Sequence, residues 1–198
     1  MRFETPLCEM AYRYGTDKCP QIWHGYTPAY YGLLRDKRES FRKVLELGIG
    51  CRETMGRRAL PHYRTGASLY MWREFFPNAQ VFGADILPEA MVDDDRIATF
   101  LCDTRNGEDL EALVGKVGSD IDLLVDDSDH RSWSQRFACL TLMPLLNKDV
   151  LYVIEDVNRP GWFSQVLERR KRKYGLDCQV LSGNGGRGSK RLVVVRHG

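Results

Sequence analysis

Short apolar runs alternate with helix-forming stretches along this chain, and this alternation limits the folds that the chain can adopt. The runs lie at residues 43–49, 79–86, 97–103, 121–127 and 149–156. The stretches GASLYMWREFF, GEDLEALVGKV and SWSQRFACLTLMPLL, which lie between runs, have apolar residues at helical spacing. Strands that alternate with helices form a parallel sheet covered on both faces. The sequence therefore predicts an α/β fold.

The last stretch of the chain departs from this alternation. Two apolar runs, LDCQVLS and KRLVVVR, are joined only by the seven residues GNGGRGS. Seven residues are too few for the crossover that two parallel strands need. We therefore predict a hairpin, which places one antiparallel strand in an otherwise parallel sheet of seven strands.

The composition is that of one globular unit. The chain has 198 residues, 43% of them hydrophobic, and a formal net charge of +2. We find no apolar stretch that suits a signal peptide or the roughly 20 apolar residues of a membrane span. Six cysteines without a CxxC pair indicate free thiols in a reducing compartment. We expect a cytoplasmic protein in which a helical cap segment, residues 1–40, precedes the main domain, residues 41–198.

Acidic side chains and one histidine lie at the ends of two neighbouring apolar runs. Asp127 ends IDLLVDD and His130 follows it, while Glu155 and Asp156 end VLYVIED. Ligands of open α/β sheets bind at the carboxyl ends of the strands, so these side chains are expected to share one crevice. Clustered carboxylates repel unless a cation neutralises them, and oxygen ligands suit Mg²⁺ or Mn²⁺. We predict a divalent-metal site with a base beside it.

The first strand ends in a pattern that is typical of close contact with a ligand. Glu46, Gly48 and Gly50 form ExGxG, in which residues without side chains let the backbone approach a nucleoside–amino-acid ligand. A dinucleotide site would need GxGxxG, but position 53 is Glu. The pattern therefore disfavours a dinucleotide.

Aspartates end the second and third predicted strands. The carboxylate of Asp85 could accept hydrogen bonds from both hydroxyls of a ribose, and Asp103 could accept one from an adenine amino group. Either residue alone could instead cap a helix. Their joint position at successive strand ends favours a cofactor site.

Several motifs, spread over most of the chain, carry a resemblance to known proteins: YGTDK, HGYT, VLELGIG, GASLYMWREFFPNAQVFGADI, IDLLVDDSDH and LYVIEDV. The predicted sheet resembles that of the class I S-adenosylmethionine (SAM) dependent methyltransferases, a Rossmann-like fold whose last strand is antiparallel. The motifs resemble the metal-dependent O-methyltransferases that act on macrolide sugars, of the mycinamicin and tylosin type, and the related cephalosporin-hydroxylase-like proteins.

The resemblance implies a single SAM-binding methyltransferase domain that uses Mg²⁺ or Mn²⁺ and methylates a hydroxyl of a small natural product, such as a sugar or polyol. It implies Asp127, Glu155 and Asp156 as metal ligands, and His130 as the catalytic base beside Asp127. His130 lies at a predicted helix start, where the helix dipole favours the neutral imidazole that a base requires. Further cofactor contacts are implied within the matched motifs, at Ser68, Ile86 and Asp126.

Three features leave alternatives open. The family reads DDGSH where this chain has DDSDH, so Asp129 could join or replace a metal ligand. The segment 51–65 lacks the expected glycines and could reshape the cofactor mouth or reach over the acceptor. The segment 14–27 could cap the site, or it could be a docking segment whose polar groups bond to each other.

Other functions share much of this pattern. A catechol-type or N-directed methyltransferase would carry nearly every residue named above, and the altered DDSDH motif would suit a non-catalytic SAM-binding protein. An RNA methyltransferase could use the basic run at residues 169–173 for phosphates, but the near-neutral charge and the lack of interleaved aromatic residues disfavour nucleic acid. Related enzymes often self-associate, so a homo-oligomer is also open.

Overall fold

A seven-stranded sheet is the centre of the computed structural model, which describes residues 2–169, 175–182 and 191–198. The strands are β1 Lys43–Leu47, β2 Gln80–Asp85, β3 Ile97–Leu101, β4 Leu123–Asp126, β5 Leu151–Val157, β6 Leu176–Ser182 and β7 Arg191–His197. Their order is β3-β2-β1-β4-β5-β7-β6, and β7 is antiparallel to both of its neighbours. The predicted mixed sheet and its final antiparallel pair are confirmed. The connection GNGGRGS and most of the basic run lie outside the described residues.

Helices cover the sheet: α1 Pro6–Tyr14, α2 Tyr26–Leu34, α3 Arg52–Met55, α4 Ala67–Phe75, α5 Gly107–Val117, α6 Ser132–Leu142 and α7 Pro160–Glu168. Short 3-10 turns occur at Arg35–Lys37, Gly56–Arg58, Pro88–Ala90 and Met143–Leu145. Local sequence explains the ends of α1: the Thr5 side chain accepts the Cys8 N–H at its start, and Gly15 ends it in the left-handed region. Among the described residues, no helix has the length and apolar character that crossing a bilayer requires.

Two hydrophobic clusters form the core, one against each face of the sheet. Alternate residues of a strand point to opposite faces, so Val44 belongs to one cluster and Leu45 to the other. The first cluster joins α4 to the two N-terminal helices, whose Leu7 and Tyr30 are fully buried. The described part of this segment, residues 2–40, therefore packs on the sheet as part of one core, and this packing brings its polar residues to the strand ends.

A bulge interrupts β5 at its carboxyl end. Ile154 pairs with Val193 and Val157 pairs with Arg191, so two residues of β5 lie opposite one residue of β7. The extra residue bends the strand and changes the direction of the side chains around it. Glu155 and Asp156 lie in this bulge, so the regular alternation of strand faces does not apply to them.

Candidate active site

A cavity of about 470 Å³ lies at the carboxyl ends of the strands, a size typical of small-molecule sites. Its lining combines the turn after β1, the ends of β2 and β3, and the residues that follow β4. The predicted residues that line it are Gly48, Gly50, Asp85, Ile86, Asp103, Asp127, His130 and Asp156. The structure therefore brings most of the predicted cofactor contacts and the predicted base into one cavity.

Asp85 organises one side of this cavity. Its carboxylate accepts the backbone N–H groups of Ile49, Gly50 and Leu87 at 2.8, 2.9 and 2.9 Å. A carboxylate has about four lone-pair sites, so one remains for a ligand hydroxyl. The next side chain, Ile86, lines the cavity and is 52% exposed, which offers an apolar surface beside the carboxylate.

Gly48 lies where two strand ends meet. Its φ is +85°, and a Cβ atom built on it would lie 2.3 Å from the carbonyl oxygen of Asp127. Real Cβ atoms do not approach oxygen so closely, so only glycine fits without a backbone shift. The ExGxG pattern predicted that these glycines let a ligand approach the backbone. At Gly48 the missing side chain leaves space for the backbone of Asp127.

Asp103 lines the cavity in a bidentate ion pair with Arg105. The Nε and Nη2 atoms of Arg105 lie 2.8 Å from Oδ1 and 2.8 Å from Oδ2 of Asp103. The arginine hydrogen bond keeps the pKa of Asp103 below its usual value. Oδ1 also accepts the Arg105 backbone N–H, so one lone-pair site of this carboxylate remains, as at Asp85. The contact of Asp103 with adenine remains a prediction.

Asp127, His130 and Asp156 form a group on the opposite side of the cavity. Each offers one ligand atom, and these atoms lie within 4.8 Å of one another. Ligand atoms that share one Mg²⁺ lie at most about 4.2 Å apart, so shifts of a few tenths of an ångström would suit an ion. The buried Nδ1 of His130 has no hydrogen-bond partner among the described residues, which also suits a ligand at this position.

Two members of this group have unusual backbone angles. His130 has φ +58° and Asp156 has φ +56°, in the left-handed region that residues with side chains rarely adopt. Such strained residues cluster at functional sites, where the surrounding structure holds them. In Asp156 the angle coincides with the β5 bulge, which explains how the side chain reaches the cavity from inside a buried strand.

Glu155 has a different environment from the other predicted metal ligands. Its two oxygens accept hydrogen bonds from Lys18 Nζ at 2.9 Å and from the Tyr30 hydroxyl at 2.6 Å. The side chain is 1% exposed, and burial raises its pKa well above the usual range. The structure therefore places Glu155 behind the cavity, outside the group formed by Asp127, His130 and Asp156.

Known proteins match both the sequence and the fold, although no family model matches the chain. Mycinamicin VI 2''-O-methyltransferase of Micromonospora griseorubida is 35% identical over 156 residues, which are 79% of this chain and 37% of that protein. Demethylmacrocin O-methyltransferase of Streptomyces fradiae is 32% identical over 156 residues, again 79% of this chain and 37% of that protein. The chain thus spans well under half the length of these relatives.

Solved structures match more of the chain. MycE methyltransferase, from the mycinamycin biosynthetic pathway and in complex with Mg, SAH and mycinamycin VI, matches 98% of this chain and 54% of its own with a TM-score of 0.76 and 26% identity. This chain has the class I methyltransferase fold. A ribosomal RNA methyltransferase from Plasmodium falciparum, at 13% identity and a TM-score of 0.54, shares the fold alone.

In this methyltransferase fold, three predicted cofactor contacts lie away from the cavity. Glu46 is buried, accepts the Trp72 Nε1–H at 2.6 Å and is hydrogen-bonded by Ser68. Asp126 is also buried and accepts from the Ser128 hydroxyl at 2.7 Å and from the Tyr152 hydroxyl at 3.1 Å. Glu46, Ser68 and Asp126 therefore hydrogen-bond to other side chains of the protein and do not line the cavity. Direct contact of these three residues with the cofactor remains a prediction.

The buried Asp126 gives a testable dependence of stability on pH. Burial raises its pKa from 3.8 to about 6. Between these values the folded chain keeps a proton that the unfolded chain has lost, so the free energy of unfolding falls by about 3 kcal/mol as the pH rises. Asp126→Asn should remove this loss. Urea unfolding from about pH 4 to about pH 7 tests it, since parallel curves for variant and wild type would contradict the expectation.

Residues of the segment 14–27 contact the site, and backbone hydrogen bonds also join the segment to itself, from His24 to Asp17 and from Tyr26 to Lys18. Asp17 and His24 line the cavity, while Lys18 and Tyr26 bond to the lining carboxylates of Asp127 and Asp156. The His24 ring stacks on Tyr26 with centroids 4.7 Å apart. The sequence analysis missed Tyr30, although Tyr26 and Tyr30 are four residues apart on α2 and share a face.

The two other departures from the family pattern also have structural roles. Asp129 accepts the Arg131 N–H at 3.0 Å and the Ser134 hydroxyl, so its carboxylate closes the turn into α6. It lies outside the group of three ligand atoms. The segment 51–65 lines the cavity mouth, where Arg58 is paired with Asp17 at 2.9 Å. This pair joins the mouth to the N-terminal segment.

Proposed function

We propose that this chain is a SAM- and divalent-metal-dependent methyltransferase that transfers a methyl group to a hydroxyl of a small natural product, in particular a sugar. One observation carries the proposal: the group Asp127, His130 and Asp156 faces the same cavity as the Gly48 turn and Asp85. The relatives support it, because all five that match are named O-methyltransferases, and four of the names specify a glycosylated scaffold or a sugar position.

In this proposal SAM lies along the side of the cavity formed by Gly48, Gly50, Asp85, Ile86 and Asp103, and it supplies an electrophilic methyl group. The remaining lone-pair site of Asp85 accepts a ribose hydroxyl, and Ile86 packs against the adenine. The size of the cavity and its mixed polar and apolar lining suit such a ligand. The same cavity extends to Asp127 and Asp156, so cofactor and acceptor can lie side by side.

In this proposal Asp127 and Asp156 would hold Mg²⁺ or Mn²⁺, which when bound would supply Lewis-acid activation of an acceptor hydroxyl. His130 removes the hydroxyl proton, since its ring lies 3.9 Å from Asp127 Oδ1 and 3.6 Å from Asp156 Oδ2. Asp127 assists through its negative charge, which stabilises the positive charge that the ring gains with the proton. Glu155, which the resemblance implies as a third ligand, bonds to Lys18 and Tyr30 here, and its role as a ligand stays a prediction.

The acceptor and the cellular setting belong to the same proposal. A small hydroxylated molecule is favoured over nucleic acid, because Asp17, Asp127, Asp129 and Asp156 line the cavity and would repel a phosphate backbone. Five of the six cysteines are buried free thiols, which suits the reducing cytoplasm. Self-association remains a prediction.

Labelled SAM tests the proposed reaction directly. The protein is incubated with Mg²⁺ and a panel of deoxysugar glycosides, catechols and amines, with and without a chelator. We expect label in the glycosides alone and no transfer after chelation. Transfer to catechols or amines would favour the corresponding alternative, and SAM binding without transfer to any acceptor would favour a non-catalytic binding protein.

His130→Gln separates the role of a base from that of a metal ligand. Loss of a general base costs about 10²-fold or more in rate, so we expect at least this loss in the rate of methyl transfer. Affinity for Mn²⁺, followed by electron paramagnetic resonance, should stay at the wild-type value. A variant that loses Mn²⁺ binding as well would identify His130 as a ligand, and one with wild-type turnover would exclude both roles.

A further inference from the structure

The N-terminal segment touches both carboxylates of the proposed metal site, each at one oxygen. Lys18 Nζ lies 2.6 Å from Asp127 Oδ2, and the Tyr26 hydroxyl lies 2.5 Å from Asp156 Oδ1. The other oxygen of each carboxylate is the one nearest to His130, at 3.9 Å for Asp127 Oδ1 and 3.6 Å for Asp156 Oδ2. Each donor therefore holds the oxygen that does not face the histidine.

Lys18 is a fully buried ammonium among three carboxylates. Its Nζ also lies 2.9 Å from Glu155 and 3.4 Å from Glu46, and its side chain is 1% exposed. The ammonium of Lys18 therefore lies between Asp127 and the buried Glu155 and bonds to both.

We propose that Lys18 and Tyr26 are positioning residues of the metal site: they fix one oxygen of Asp127 and one of Asp156, so that the other oxygen of each is presented to the ion. The inference rests on the proposed function. Donors behind the ligands of an ion orient them, and their loss weakens metal binding. Without the ammonium, Asp127 and Glu155 repel each other, and Asp127, which is 22% exposed, turns toward solvent.

The test measures Mn²⁺ affinity of the full chain by electron paramagnetic resonance, without SAM or acceptor. Tyr26→Phe removes only the hydroxyl, and Lys18→Met removes only the charged head of the side chain. We expect each variant to bind Mn²⁺ about tenfold more weakly. Thr27→Val is the matched control: Thr27 is equally buried on α2, but its hydroxyl bonds to Cys8 and not to a carboxylate. Its affinity should equal that of the wild type.

The two variants distinguish positioning from simple charge effects. Removal of a positive charge by itself would strengthen binding of a cation, so weaker binding in Lys18→Met cannot arise from charge alone. Tighter binding would show that the ammonium competes with the ion and would overturn the proposal. If Lys18→Met fails to fold, Tyr26→Phe decides alone, and wild-type affinity in that variant also overturns it. A wild-type protein without Mn²⁺ affinity would instead contradict the metal dependence itself.

Discussion

Asp127→Asn is expected to abolish Mn²⁺ binding and to slow methyl transfer by about 10³-fold or more. Asp127 provides one oxygen to the group with His130 and Asp156 and the other to Lys18. Asparagine keeps the shape but has no charge, so it weakens the ion site and removes one partner of the buried ammonium. Stabilisation of charge by a metal ion contributes several kcal/mol, and about 4 kcal/mol corresponds to 10³-fold in rate. Mn²⁺ titration and transfer from labelled SAM measure the two effects separately.

Asp129→Asn is the control for this experiment. Asp129 is an exposed acid two residues away, and its carboxylate bonds to Arg131 and Ser134. A charge outside the ligand group, in contact with solvent, changes ion binding by under about 1 kcal/mol, so Mn²⁺ affinity should change by less than about fivefold. Equal losses in Asp127→Asn and Asp129→Asn would mean that Asp129 is a ligand and that the proposed ligand set is wrong.

The fold could be predicted from the sequence because strands and helices that are buried against a core carry apolar residues at a regular spacing. The runs at 43–49, 79–86 and 97–103 contain the observed strands Lys43–Leu47, Gln80–Asp85 and Ile97–Leu101 with errors of one or two residues. The length of GNGGRGS alone required an antiparallel pair, and β6 and β7 form one. Strand faces and connection lengths are local properties, so a single sequence records them.

The site could be predicted only as a list of residues at strand ends. The alternation of residues along a strand does not reveal the β5 bulge. Because of this bulge, the side chains of Glu155 and Asp156 point into different surroundings. The sequence also gave no indication that Lys18 would bond to Glu155, because 137 positions separate them. The direction of a buried polar side chain depends on partners that only tertiary structure brings close. The prediction therefore placed Asp127, His130, Glu155 and Asp156 in one crevice and Glu46, Ser68 and Asp126 at the cofactor. In the structure, the residues of these two sets that do not line the cavity are Glu46, Ser68, Asp126 and Glu155.

Gly48→Ala should destabilise the chain by about 2–5 kcal/mol, because two costs combine. Alanine in the left-handed region costs about 1–2 kcal/mol, and Gly48 has φ +85°. The new methyl group would lie 2.3 Å from the Asp127 carbonyl oxygen and 2.8 Å from the Ser128 Cα, so the backbone after β4 must move. Such a shift costs about 1–3 kcal/mol in a well-packed region. Urea unfolding of the variant measures the sum.

Two other glycines separate these costs. Gly15 has nearly the same φ, +83°, but a built Cβ would lie 3.1 Å from its nearest neighbour, the Tyr63 Cα, so Gly15→Ala carries the backbone cost with a much weaker contact. Gly32 lies exposed in α2 with neither feature, so Gly32→Ala should stabilise the helix by about 0.5–1 kcal/mol. If Gly48→Ala costs no more than Gly15→Ala, the contact with Asp127 does not constrain the turn. If it costs more and Mn²⁺ affinity falls with it, the turn that faces the cofactor also sets the position of Asp127, because the displaced backbone carries that carboxylate.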